Sequence, residues 1–168
     1  LCVMPTGGGK SLCYQIPALL LPGITLVVSP LISLMKDQVA ALKSAGVPAA
    51  YINSSLTGEQ IRTVYARTRK GAYKLIYVAP ERLETNSFLS LMQEMDVSFL
   101  AVDEAHCISQ WGQDFRPSYL GIVDFINALP RRPIVAAYTA TATKQVQSDI
   151  LRLLQLQSPY RIVTGFDR

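Results

Sequence analysis

A chain of 168 residues and 18.5 kDa is the size of one domain, and folding at that length buries roughly 70% of the unfolded chain's surface, enough for a core without staples. With 49% apolar and 17% charged residues it is not a disordered chain, and its apolar stretch over 16–28 is interrupted by Pro17, Pro22 and Gly23, so no segment is expected to span a bilayer. The net charge of +4 permits a nucleic-acid partner without requiring one, while three scattered cysteines (Cys2, Cys13, Cys107) without metal-ligand spacing point to reduced thiols and a cytoplasmic protein.

Leu1-Cys2-Val3-Met4 is a short apolar run that breaks at once into Pro5-Thr6-Gly7-Gly8-Gly9, as a buried strand entering a tight loop does. No charged region precedes it, so the chain is expected to begin in mid-domain. Residues 10–21 are helical in character and stop at Pro22-Gly23. Residues 24–29 are β-branched and apolar, the mark of a strand covered on both faces. Leu31, Leu34, Met35, Val39, Leu42 and Ala45 recur at helical spacing until Gly46, and a short strand is expected over 49–52. Thr57-Gly58-Glu59-Gln60 has capping-box form, and Ile61, Val64, Tyr65 and Thr68 line the helix behind it. A strand over 75–79, a helix over 82–94 and an apolar strand over 99–102 follow, the last delivering Asp103 and Glu104 at its end. Ile122, Phe125, Ile126 and Leu129 make a helix stripe and 134–138 a strand. Thr143 can cap a last helix with Val146, Ile150, Leu153 and Leu154 inward, before a final strand near 161–163.

Alternating strands and helices, with the strands apolar throughout, imply an α/β fold: a mostly parallel central sheet with helices on both faces. Ligands of such sheets bind beyond the carboxyl ends of the strands. The glycine-rich loop, Asp103-Glu104 and Thr139-Ala140-Thr141 all follow strands directly, so they should converge on one edge.

Met4-Pro5-Thr6-Gly7-Gly8-Gly9-Lys10-Ser11 fits the phosphate-loop pattern except at its first position, where Met4 replaces glycine. The glycines let successive N–H groups turn inward toward phosphate oxygens, and the helix that follows adds its positive end. Lys10 supplies a mobile charge for the β- and γ-phosphates of ATP, and Ser11 a hydroxyl for Mg²⁺. Asp103 and Glu104, adjacent at a strand tip, are expected to point to opposite sides. One can hold Mg²⁺ while the other reaches the attacking water of a hydrolysis reaction.

Asp103-Glu104-Ala105-His106 resembles the second motif of superfamily 2 helicases. The continuation Cys107-Ile108-Ser109-Gln110-Trp111-Gly112-Gln113-Asp114-Phe115-Arg116-Pro117-Ser118-Tyr119 resembles the aromatic-rich loop specific to RecQ helicases. Ser29-Pro30-Leu31-Ile32-Ser33-Leu34-Met35-Lys36-Asp37-Gln38 is similar to motif Ia, Tyr77-Val78-Ala79-Pro80-Glu81-Arg82-Leu83 to motif Ib and Thr139-Ala140-Thr141-Ala142 to motif III. The short motifs are shared by many helicases; the aromatic loop is the specific one. The resemblance implies a RecA-like P-loop domain over 1–164, the start of an interdomain linker at 165–168, and a second RecA-like domain beyond it. It also implies ATP hydrolysis with Mg²⁺ driving 3′-to-5′ movement on single-stranded DNA and the opening of forks, by a machine that does not work at a membrane. By the same resemblance His106 links the γ-phosphate region to motif III, a satisfied buried histidine being the plainer alternative. Backbone contacts to DNA fall at Ser29, Pro30, Asn53 and Arg82, and Trp111, Gln113, Phe115, Arg116, Thr139 and Thr141 join DNA binding to the ATP chemistry. The adenine-reading glutamine of the family is placed upstream of the phosphate loop, before Leu1.

The physics of the loop allows two readings. Trp111 and Phe115 either pack it onto the core or stack on bases, where each aromatic is worth about 1–3 kcal/mol without regard to sequence. Gln113 departs from the family's usual histidine: it keeps hydrogen-bonding capacity but loses titration, which bears on coupling and not on ATP binding. Arg62, Arg67, Arg69, Lys70 and Lys74 cluster on and after one helix and read as a solvated face. An RNA helicase of the same superfamily and a module that binds nucleic acid without turnover are the rival functions, and Glu104 speaks against the second.

Overall fold

The computed structural model describes residues 1–164; the expected linker entry at 165–168 lies outside them. Its strands are β1 (Cys2–Val3), β2 (Ile24–Val28), β3 (Ala49–Ile52), β4 (Leu75–Val78), β5 (Val97–Val102), β6 (Ile134–Thr139) and β7 (Ile162–Val163). They form one seven-stranded sheet in the order β3-β4-β2-β5-β6-β1-β7, parallel at every pairing. The helices are α1 (Lys10–Leu20), α2 (Ile32–Ser44), α3 (Gly58–Arg69), α4 (Asn86–Glu94), α5 (Ile122–Ala128) and α6 (Lys144–Leu153).

Every residue of β2, β4 and β5 is buried, because alternate side chains enter two separate cores. Leu26, Val28, Ile76, Val78, Leu100 and Val102 meet Tyr65, Phe88, Phe125, Val146 and Ile150 of α3 to α6 on one face. Val27, Leu75, Tyr77, Phe99 and Ala101 meet Tyr14 and Ala18 of α1 and Met35, Val39 and Leu42 of α2 on the other. The unbroken apolar strands thus have the cause expected of a covered parallel sheet. Among the described residues no helix is long and apolar enough to cross a membrane.

Local signals set the element ends. Thr57 and Gln60 close a reciprocal capping box on α3, each side chain meeting the other's main-chain N–H at 3.2 and 2.8 Å. Thr143 caps α6 by accepting from the Val146 N–H. The expected helix over 82–94 is shorter than its periodicity suggested. Pro80–Arg82 is one 3₁₀ turn, and both the N–H and the hydroxyl of Thr85 bond back to the Arg82 carbonyl, closing that turn before α4 restarts at Asn86. Strand β5 begins two residues before its apolar run at Phe99, because Val97 already pairs with Ile24 across the sheet.

Register decides what the carboxyl edge presents. Val28 is level with Val78 and Val102, and Ile52 with Val78. The next residues, Asn53, Ala79, Ser29 and Asp103, therefore stand in one row across β3, β4, β2 and β5, and the N–H groups of the last three still bond to Ile52, Val78 and Val28.

Candidate functional site

The phosphate loop leaves β1 beside β6, held there by the Met4 N–H donating to the Thr139 carbonyl at 3.0 Å. Gly7 and Gly9 have φ of 79° and 84°, in the left-handed region that glycine enters without penalty, and Gly9 is the residue from which α1 starts. Thr6 to Gly9 are exposed at a helix N-terminus, the Gly8 N–H turned back onto the Pro5 carbonyl at 3.0 Å. Lys10, half-buried, folds across the loop and donates to the Met4 and Pro5 carbonyls at 3.1 and 3.3 Å. Ser11 is half-buried one residue into α1. The segment can take an anion, with an ammonium available to it.

Asp103 is buried at the tip of β5. Burial pushes its carboxyl up to about 6, and the neighbouring Glu104 carboxylate adds to the push; the Glu104 N–H and the Lys10 ammonium act against it. The strand alternation that the sequence suggested for the two acids is absent. Strand β5 ends at Val102, and Glu104 has φ 47° and ψ 44°, so a left-handed turn separates them, stabilised by the Glu104 N–H donating to Asp103 Oδ1 at 2.9 Å. Such a backbone costs a non-glycine residue of order 1–3 kcal/mol and persists only where its surroundings enforce it.

His106 stands between this turn and β6. Its Nδ1 lies 2.8 Å from Thr139 Oγ1 and 3.3 Å from Glu104 Oε2. The Thr139 hydroxyl spends its proton on the Thr141 carbonyl at 3.0 Å, so in this arrangement Nδ1 is the donor to Thr139 Oγ1, with the Glu104 carboxylate close by. Glu104, His106, Thr139 and Thr141 thus form one connected chain from the second acid to the end of β6.

The aromatic segment follows without a break. Residues Ala105–Ile108 make a 3₁₀ turn whose Ala105, Cys107 and Ile108 are buried, and the loop beyond it closes through the Arg116 N–H on the Cys107 carbonyl at 2.8 Å. A side chain at Gly112 would collide with the His106 carbonyl, so only glycine allows this approach. Trp111 is 75% exposed and Gln113 is exposed, whereas Phe115 and Arg116 are half-buried, Arg116 paired with Asp114 at 2.9 Å. Packing onto the core accounts for part of Phe115 and for little of Trp111.

Of the remaining candidates, Ser29 is buried with its hydroxyl unpartnered among the described residues, Pro30 and Arg82 are half-buried and Thr141 is exposed. Asn53 is fully buried, its carbonyl oxygen taken by the Ser55 N–H and hydroxyl, so what this loop offers a ligand passes through the neighbours that Asn53 shapes. In the basic cluster, Arg69 pairs with Glu94 and Lys74 caps the carbonyls of Leu21 and Gly23; Arg62, Arg67 and Lys70 are exposed. Two features escaped sequence reasoning. Tyr119 is fully buried with its hydroxyl on the Asp103 carbonyl, and Asp149 is a buried carboxylate on the inward face of α6. The signal for Asp149 was present: it sits between Val146 and Ile150, where the helical period calls for an apolar residue.

Residues 1–149 match the family model described as DEAD/DEAH box helicase. The chain is 54% identical over 167 residues to the ATP-dependent DNA helicase RecQ of Bacillus subtilis, covering 99% of this chain and 28% of that protein. It is 53% identical over 168 residues to the ATP-dependent DNA helicase RecQ of Pasteurella multocida, covering 100% of this chain and 26% of that one. It therefore spans little more than a quarter of the length of these curated relatives. The crystal structure of the Pyrococcus furiosus Hef helicase domain shares the fold, with a TM-score of 0.72 at 20% identity over 96% of this chain and 34% of that chain.

Proposed function

The chain belongs to the DEAD/DEAH box helicase family, and from that premise we propose that it is the first RecA-like motor domain, over 1–164, of a RecQ-type ATP-dependent DNA helicase. In this reading Thr6, Gly7, Gly8, Gly9, Lys10 and Ser11 hold the phosphates of ATP, Glu104 orients or deprotonates the attacking water, and His106 passes the state of that site to Thr139 and Thr141. Mg²⁺ fits the donors present: a buried carboxyl pushed up to about 6 is relieved by a cation, and Ser11 with Asp103 would hold one that neutralises charge on the phosphates. Ser29, Pro30, Asn53 and Arg82, on the half of the edge away from the phosphate loop, belong to the path of single-stranded DNA. Trp111, Gln113, Phe115 and Arg116 report that DNA to the acids. Movement is 3′ to 5′, forked DNA is the working substrate, and the three free cysteines suit a reducing cytoplasm.

The observation that carries this reading is the continuity of Asp103-Glu104 with the Trp111 loop through one 3₁₀ turn. It leaves an aromatic side chain exposed a few residues from a buried Mg²⁺-type acid. The charge on the γ-phosphate still needs an arginine worth roughly 10³–10⁵ in rate, which the proposal assigns to a second RecA-like domain in the remainder of the protein. The 168-residue chain alone should bind Mg-nucleotide weakly, turn over slowly and unwind nothing. The deciding experiment measures ATP hydrolysis by the complete enzyme with single-stranded DNA, with RNA and with neither, and strand separation on 3′- and 5′-tailed duplexes. Stimulation by DNA over RNA and opening of the 3′-tailed duplex support the proposal. RNA preference would make it an RNA helicase, and binding without hydrolysis would make it a passive module.

A further inference from the structure

A buried carboxylate on the core face of a helix is costly unless both oxygens find donors. Asp149 of α6 is 6% exposed, and its two oxygens are used separately: Oδ2 accepts from the Ser109 hydroxyl at 2.7 Å and Oδ1 from the Arg152 guanidinium at 3.0 Å. The Ser109 bond, with Arg152 second, holds its carboxyl below the ordinary range, so it is charged at neutral pH. Ser109 is itself fully buried, and its oxygen accepts from the Trp111 N–H at 3.1 Å. One hydroxyl thus donates to α6 and accepts from the aromatic loop. Trp111 is 75% exposed, so side-chain packing does little to place it; its backbone must be held.

The 3₁₀ turn at Ala105–Ile108 consequently has two ties to the segment running from β6 into α6: His106 to Thr139 at one end, and Ser109 to Asp149 just past the other. Building on the reading of the loop as a DNA sensor, we propose that Asp149 is a positioning residue for that sensor. Acting through Ser109, it fixes the Trp111 backbone to α6 and opens a second route, independent of His106, by which DNA on Trp111 moves the Thr139–Thr141 end of β6.

The test uses Ser109→Ala, Asp149→Ala, the double variant and Asp149→Asn, which keeps an oxygen acceptor for Ser109 and guards against a general folding defect. In the complete enzyme each alanine variant should lower the DNA-stimulated ATPase about tenfold, the worth of a hydrogen bond to a charged group, with basal turnover within about twofold. The double variant should be no worse than the worse single one, and Asp149→Asn should recover most of the loss. Losses that multiply in the double variant, equal scaling of basal and stimulated rates, or unchanged stimulation would each overturn the tether. Trp111 is the only tryptophan of these 168 residues, and in the complete enzyme its signal is isolated by difference against Trp111→Phe, so its fluorescence anisotropy and quenching by acrylamide read the loop. Anisotropy should fall and quenching rise in Ser109→Ala and Asp149→Ala, and identical values would overturn the proposal. If wild-type enzyme shows no stimulation by DNA, the sensor reading fails by itself, and the fluorescence arm still decides whether the tether exists.

Discussion

The phenolic hydroxyl of Tyr119 donates to the main-chain carbonyl of Asp103 at 2.8 Å, with both residues buried. The bond spans the aromatic segment: the residue that ends it grips the first acid of the Asp103-Glu104-Ala105-His106 motif that precedes it. It also satisfies a carbonyl just past the last residue of β5. Tyr119→Phe should cost about 1–2 kcal/mol of stability, because it leaves that carbonyl buried and unpaired, and should lower ATP turnover through a looser Asp103. Chemical denaturation and steady-state hydrolysis on one preparation check both, and an unchanged unfolding midpoint would remove the bond from the account.

Lys10→Ala should abolish hydrolysis while leaving single-stranded DNA affinity within about threefold, because the proposed phosphate site of the ammonium is on one half of the edge and the DNA candidates lie on the other. Nucleotide titration and DNA binding are read side by side. Turnover near the wild-type rate would sink the assignment of the phosphate loop.

The Asp103 carboxyl has a folded pKa of about 6 against an ordinary 3.8, so the native state holds a proton that the unfolded chain has released between those pH values. Stability must fall as pH rises through that window and then level off. At about 1.4 kcal/mol per pH unit the loss is roughly 3 kcal/mol by neutral pH. Asp103→Asn should flatten this dependence in urea titrations between pH 4 and 7 while eliminating hydrolysis. Mg-nucleotide affinity of the wild type should weaken below pH 6, as the acid protonates. A variant with the wild-type pH profile would show that another group titrates.

Glu104 holds a left-handed backbone that glycine adopts freely. Glu104→Gly should therefore not lower stability, and should raise it by up to about 1 kcal/mol, although glycine loses more entropy on folding. Hydrolysis should drop at least about a hundredfold with the loss of the proposed general base. A destabilised variant would mean that the carboxylate's bond toward His106 outweighs the strain.

Trp111→Ala should reduce DNA-stimulated ATPase far more than basal ATPase, since an indole that is mostly in solvent contributes little to the core. Gln113→His, at an exposed position of the same loop, should raise the stimulated rate more than the basal one. Proportional changes in both rates for either variant would reduce the loop to a structural role.

Strand and helix order, the parallel sheet and the meeting of phosphate loop, acids and Thr139 on one edge were legible in the residues themselves. Each is set by local chemistry: apolar runs that need cover on both faces, Thr57 and Thr143 as caps, and Gly9 at a left-handed helix entry. The left-handed turn between Asp103 and Glu104 was not legible, because it depends on where β5 stops pairing and on a backbone conformation that the glutamate does not favour by itself. Nor could sequence tell Trp111 from Phe115, two aromatics in one loop of which only the first stands free in solvent. Tertiary structure alone also turned Asp149 from an interruption of an apolar stripe into a ligand of Ser109, residues 40 positions apart. Periodicity reports which face a residue occupies, whereas the partner of a buried polar group is chosen by which elements that face meets.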